Sequence, residues 1–272
     1  MLSLPLSFQA MRPPTMAQWR MLPPMVLPGA DNMALDDASA SLARDGGEVI
    51  ARVYGWTRPT LSFGRHQRSA GLYDPDAARE RGIDVVRRPT GGRAVLHWRE
   101  ITYCVAASEE ALGSRGESYA LINSLLISAL RTLSVEAGVA SPASRTPLPG
   151  PGACFEEPVA GEIVAADRKL VGSAQRRGDG AFLQHGSILV DDDQALAAEL
   201  RTESVLPPAP AATLRSLLEY APTLQEFDAA LIAAIESEFC RAPVPLPFND
   251  EIGAALDSRR PHYLSDGWTW RR

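Results

Sequence analysis

IDVVRRPTGGRAVLHWREITYCVAAS, residues 83–108, reads as three strands separated by a glycine turn and a short polar link. Residues 83–88 and 101–108 are rich in valine, isoleucine and threonine, side chains that suit a pleated, half-buried surface. The short run AVLH, 94–97, lies between them, and PTGG at 89–92 supplies the turn chemistry.

Outward from this stretch the strands continue in both directions. VIARVYGW, 49–56, alternates like a half-buried strand, and LSFG follows from Leu61 after the break at Pro59. Asp74-Pro75 opens a short helix by cap and first-turn proline, closed at Gly82. Asp31 or Asn32 caps an earlier helix that runs to about Arg44. Downstream, 118–137 is a strongly apolar helix, and 141–153 (SPASRTPLPGPGA) is a proline- and glycine-rich loop long enough to suggest a function. EIVAADRKLVGSAQ reads as a hairpin turning at Asp167-Arg168, and FLQHGSILV as another strand. Helical patterning takes over from about Asp191, clearest in TLQEFDAALIAAIESEFC. Strands with interspersed helices, followed by a helical C-terminal third, indicate an α+β (mixed α/β) architecture.

The composition excludes several classes of function. The chain has 272 residues, 45% of them hydrophobic and 22% charged. That is enough to bury a full core without a disulfide or metal staple. No apolar run is long enough to span a bilayer. The proline-broken start reads as a flexible extension, residues 1–18, rather than a secretion signal. Three dissimilar cysteines (Cys104, Cys154, Cys240) make neither a disulfide framework nor a zinc pattern, which points to a reducing cytoplasm. Four histidines without ligand spacing give no metal site. A net charge of −6 argues against nucleic acid as a partner, although arginine clusters remain to receive an acidic one.

Three constellations carry the chemistry. The first is Arg87-Arg88-Pro89-Thr90-Gly91-Gly92-Arg93, running on to His97. The glycines let backbone approach a ligand, and arginines suit phosphate or carboxylate; the plain alternative is a tight hairpin with exposed arginines. The second is Cys154, after loop glycine and beside Phe155-Glu156. Cys104, on an apolar strand, and Cys240, on a helix, read as small buried hydrophobes. The third is Lys169, with Gly172, Ser173 and Ala174 beyond it and His185-Gly186 on the next strand. Small residues there leave room for an apolar chain. Of 27 basic residues Lys169 is the sole lysine. Arginine-favouring base composition could leave one lysine, exposed in a turn. The other reading is a position that needs a group able to lose its proton or to act as a compact charge.

Together RRPTGGRAVLH, RKLVGSAQRR and LQHGSIL resemble the ligand-site motifs of the lipoate-attachment superfamily: lipoate–protein ligases, octanoyltransferases and biotin ligases. ADNMALDDA and RVYGWTRPTLSFGRHQ resemble its N-terminal helix and first strands, and the resemblance covers roughly residues 19–193. It implies a single catalytic domain, 19–272, built on a mixed β-sheet flanked by helices. ATP-dependent ligases usually carry a third glycine where this chain has Arg93. ACFEEP, followed after a hairpin by the lysine, is similar instead to the octanoyltransferases that form an acyl-cysteine. Trp98 departs from the aspartate that normally follows His97. The resemblance implies a nucleophile at Cys154 with Lys169 lowering its pKa. A ligand site is implied at Arg87, Arg88, Thr90, Gly91, Gly92, Arg93, His97, Gly172, Ser173, Ala174, His185 and Gly186. Octanoyl acyl carrier protein is the implied donor, and a lipoyl domain or the glycine-cleavage H protein the acceptor, with no cofactor and a monomeric enzyme. The alternatives are an ATP- and magnesium-dependent lipoate ligase and a non-catalytic protein that binds lipoyl domains.

Overall fold

A computed structural model describes residues 17–140 and 161–271. Its elements in chain order begin with β1 (Trp19–Met21), β2 (Met25–Leu27), α1 (Gly29–Gly46), β3 (Val49–Trp56), β4 (Thr60–Phe63) and α2 (Pro75–Glu80). The centre holds β5 (Asp84–Arg87), β6 (Val95–His97), β7 (Glu100–Ser108), α3 (Arg115–Thr132), β8 (Gly138–Val139), β9 (Ile163–Ala165), β10 (Arg168–Gly178) and β11 (Ala181–Leu189). The C-terminal third is α4 (Ala195–Glu199), α5 (Leu214–Leu218), α6 (Leu224–Phe239), β12 (Val244–Pro245), α7 (Asp250–Tyr263) and α8 (Asp266–Thr269). None of the described helices is long and apolar enough to cross a membrane.

Among the described residues the main sheet runs β12-β1-β3-β7-β11-β10-β9-β8, with β2 also on β3, and a second sheet runs β5-β4-β6. One face of the main sheet packs against α3 and α6 through Leu125, Leu126, Phe227 and Ile235. Met33, Leu35, Ile252 and Leu256 of α1 and α7 cover the other face. This double cover explains why β3 is buried along its whole length, where alternation alone predicts one wet face.

Local signals set most boundaries. Asp74 accepts from the amides of Asp76 and Ala77, as a cap before proline should. Thr223 and Glu226 form a reciprocal capping box on α6, and Ser114 and Glu117 do the same for α3. Helix α1 starts at Gly29, before the expected Asp31 or Asn32, because the Asn32 amide is buried instead and donates to the carbonyls of Leu27 and Gly55. The β9–β10 turn falls at Ala166-Asp167, both left-handed, one residue earlier than expected.

The PTGG stretch is not a hairpin turn. Strand β5 pairs parallel to β4, and β6 pairs antiparallel to β4 on its other side. The glycine turn therefore crosses over the end of β4. Gly64, just past that end, has no room for a Cβ against the Gly92 carbonyl.

Candidate active site

Strand register builds a slot on the α1 face of the main sheet. Tyr54 pairs with Thr102, Thr102 with Ser187, and Ser187 with Gly172 across β3, β7, β11 and β10. Side chains on one face shrink along this row, so the floor falls away toward Gly172. The adjacent row, Arg52-Cys104-His185-Ala174, ends small as well. Met33, Trp56, Arg88, Gly92, Val95 and His97 wall the slot, which encloses about 410 Å³ with its open mouth included.

Eight of the expected ligand-site residues meet here: Arg88, Gly92, His97, Gly172, Ser173, Ala174, His185 and Gly186. The two histidines are locked by matching arrangements. Arg88 Nη1 donates to Ser62 Oγ at 2.6 Å, and arginine can only donate, which leaves the Ser62 proton for His97 Nε2, also at 2.6 Å. His97 Nδ1 then donates to Glu100 Oε1 at 2.8 Å, while its ring stacks on Trp56 at 4.2 Å. Thr90 Oγ1 lies 2.6 Å from His185 Nε2, and His185 Nδ1 donates to Asp36 Oδ2 at 2.7 Å. Burial lowers the His185 pKa despite Asp36, so the ring is neutral and Thr90 is the donor. Burial alone would raise Asp36, but Arg52 and His185 outweigh it and hold the carboxyl at about 2. Both imidazoles thus face the slot with both nitrogens engaged, which suits them to positioning rather than proton transfer.

Other expected residues lie elsewhere. Thr90 is buried behind the slot on His185, and Gly91 and Arg93 present carbonyls to Arg88 Nη2 without lining the cavity. Arg87, expected to bind substrate, does not reach it. Its five guanidinium hydrogens go to the carbonyls of Gly64, Gln67, Trp268 and Thr269 and to Ser69 Oγ. Burial, with Arg271 and Arg88 nearby, pushes Arg87 down to about 10, so it stays charged.

Lys169 is no exposed turn residue. Leu170 and Val171 both enter the apolar cluster beneath α3, because β10 bulges between Lys169 and Val171. Alternation then returns Lys169 to the face that carries Gly172. It does not line the slot; it sits a few residues along the strand from Gly172. Its Nζ donates to Glu162 Oε1 at 2.6 Å, with the lysine side chain 2% exposed and the glutamate 13%. Cys154 lies outside the described residues. Cys104 is buried as expected, and burial pushes its thiol well up, away from reactivity. Cys240 was expected to be buried too, but it is exposed, in left-handed conformation at the end of α6.

Sequence reasoning missed Asp36, Arg52, Tyr54, Ser62, Glu100 and Glu162. The signal for Asp36 was present: an acid on the apolar side of an alanine-rich helix must have a buried partner.

Residues 28–236 match the lipoyl protein ligase A/B catalytic domain. The chain belongs to this family. Similar proteins include the octanoyltransferase LipM of Kyrpidia tusciae, 39% identical over 94% of this chain and 100% of the relative. That of Geobacillus kaustophilus is 33% identical over 93% and 98%. Among solved structures, lipoate-protein ligase A bound with ATP superposes with a TM-score of 0.76 at 20% identity, covering 93% and 98% of the two chains. A bipartite lipoate protein ligase from Thermoplasma acidophilum gives 0.72 at 19%, covering 94% and 98%. The expected family and its mixed-sheet fold are borne out, and the chain is an acyltransferase rather than a scaffold.

Proposed function

We propose that this protein moves an octanoyl group from the thioester of an acyl carrier protein, through Cys154, to a lysine of a lipoyl domain or the glycine-cleavage H protein, as a step in lipoate biosynthesis. The observation that carries the reading is Lys169, the sole lysine, buried and ion-paired beside an apolar slot in a chain whose relatives are named octanoyltransferases. An ammonium close to a thiol favours the thiolate. That thiolate attacks the donor carbonyl, the carrier's thiolate leaves and takes up a proton, and the octanoyl group rests on Cys154. The acceptor amine then attacks this thioester, Cys154 leaves as thiolate, and the amine gives up its proton as the amide forms. The slot holds the acyl tail. Backbone N–H groups of the Gly91-Gly92 turn and of Gly172-Ser173 are the donors that would meet the tetrahedral oxyanion, with Arg88 holding the turn in place. Arg87 takes no part, being wholly engaged with the backbone and Ser69. The donor thioester is already activated, so no cofactor is required, and a free Cys154 thiol suits a reducing compartment such as the cytoplasm.

Incubation with octanoyl carrier protein should give an acylated enzyme whose added mass is removed by hydroxylamine and absent from Cys154→Ala. Normal turnover in Cys154→Ala would end the covalent reading. Modification that requires lipoate and ATP, with pyrophosphate release, would establish the ligase instead.

A further inference from the structure

We infer that the C-terminal tail, through Arg87, positions the glycine turn of the ligand site, so that α8 belongs to the active-site architecture. The family match ends at residue 236, yet the chain goes on to form α7 and α8. Helix α8 returns to the ligand side of the molecule, where Trp268 meets Arg87 of β5 across a sequence separation of 181.

The contact is a hub of backbone groups. Arg87 Nε donates to the Trp268 carbonyl at 2.9 Å and Nη2 to that of Thr269 at 2.8 Å. Trp268 Nε1 donates back to the Arg87 carbonyl at 3.0 Å, and Ser69 Oγ donates to the Thr269 carbonyl at 3.0 Å. On its other side Arg87 Nη1 reaches the carbonyls of Gly64 and Gln67, both at 2.6 Å. One planar guanidinium therefore ties two segments that share no strand pairing: loop 64–69 and tail 268–269.

The glycine turn rests on that loop. Arg65 N donates to the Thr90 carbonyl at 2.7 Å, and Gly64 packs directly on the Gly92 carbonyl. Gly92 lines the slot, and Thr90 holds His185, another lining residue. Arg88, next to the hub, secures the Gly91 and Arg93 carbonyls and Ser62. Displacing the tail removes two of the four carbonyls that hold Arg87, and loop and turn lose their common support. Without that support Arg87 keeps its charge but not its orientation, so its role is positioning and not contact with substrate.

The test uses the full chain, a version ending at Leu264, and Arg87→Lys, which keeps the charge but not the five-donor fork. Leu264→Ala, at an exposed position outside the site, is the control. Hydrogen–deuterium exchange is read at residues 64–69 and 90–93, together with kcat and KM for octanoyl carrier protein. The kinetic half rests on the proposed transferase reading; the exchange half does not, so the two can fail separately. Faster exchange confined to those two segments is expected in both altered proteins. A loss of kcat/KM on the order of a hundredfold, the usual consequence of small misplacement, should accompany it, with Leu264→Ala unchanged. Native exchange at 90–93 in the shortened chain would overturn the inference. Exchange raised throughout the main sheet would also overturn it, because the tail would then be serving the fold at large.

Discussion

Replacing Glu162 by glutamine removes the carboxylate 2.6 Å from Lys169 Nζ and leaves the shape of the site almost unchanged. Breaking a buried ion pair from one side costs about 3–5 kcal/mol, because the remaining charge keeps its desolvation without its partner. Glu162 is slightly exposed, which places this pair at the lower end, near about 3 kcal/mol. For a chain of this size that corresponds to a fall in melting temperature of about 6–12 °C. The double variant Glu162→Gln/Lys169→Met buries no charge at the pair, so it should melt above Glu162→Gln alone, with a coupling of about 2 kcal/mol. Turnover should behave differently. If Glu162 holds the lysine for the reaction, Glu162→Gln lowers kcat with little change in KM, and adding Lys169→Met costs far less than its effect in the parent. The assays are thermal melts and steady-state transfer from octanoyl carrier protein for all four proteins. A Glu162→Gln protein that melts within about 2 °C of the parent and keeps its kcat would refute the reasoning.

Acid should lower the protein's stability over two separate pH windows. Asp36 is held at about 2 against 3.8, so its contribution is complete above pH 3.8 and lost as pH falls toward 2. A shift of that size is worth about 2 kcal/mol. His185 is lowered by burial from 6.5, so the unfolded chain binds its proton first and stability declines as pH drops below that value. His185→Gln should therefore flatten the dependence of melting temperature on pH just below pH 6.5. Ala174→Leu should fill the small end of the slot. At about 0.8 kcal/mol per methylene displaced, it should cut octanoyl transfer about tenfold or more while sparing a butanoyl donor. An unchanged octanoyl-to-butanoyl ratio in competition would place the acyl tail elsewhere. Cys104→Ser should retain hydroxylamine-labile acylation, because that thiol is sealed in the core.

The fold was legible wherever one signal acted locally. Asp74-Pro75, the amphipathic run from Thr223, and the strand runs at 49–56 and 101–108 all form the expected elements. Strand order was not legible, and the glycine turn shows why. PTGG has the composition of a hairpin, but the partner of both flanking strands is β4, well upstream and beyond helix α2, and nothing within 83–97 encodes that choice. At the site, small residues at 172–174 announced the slot because missing side chains are visible in a sequence. The acids that hold the histidines and the lysine were not visible. Asp36, Glu100 and Glu162 come from a helix, a strand start and a loop, and only folding brings them to their partners.

Adjacent Arg87 and Arg88 show how far residue type falls short of role. At the end of a strand, neighbours point to opposite faces, so two identical side chains enter different surroundings. Arg88 turns toward the slot and secures the glycine turn from within. Arg87 turns toward the tail and secures the loop on which that turn rests. Both act mainly on backbone carbonyls, which a five-donor fork satisfies and a lysine cannot. Position 169 differs, because there a compact, buried ammonium is set against the Glu162 carboxylate, a pairing that a point charge can make. A chain with 27 basic residues and one lysine therefore separates two kinds of work. At 87 and 88 arginine holds backbone geometry, and at 169 the lysine sets a single buried charge against Glu162.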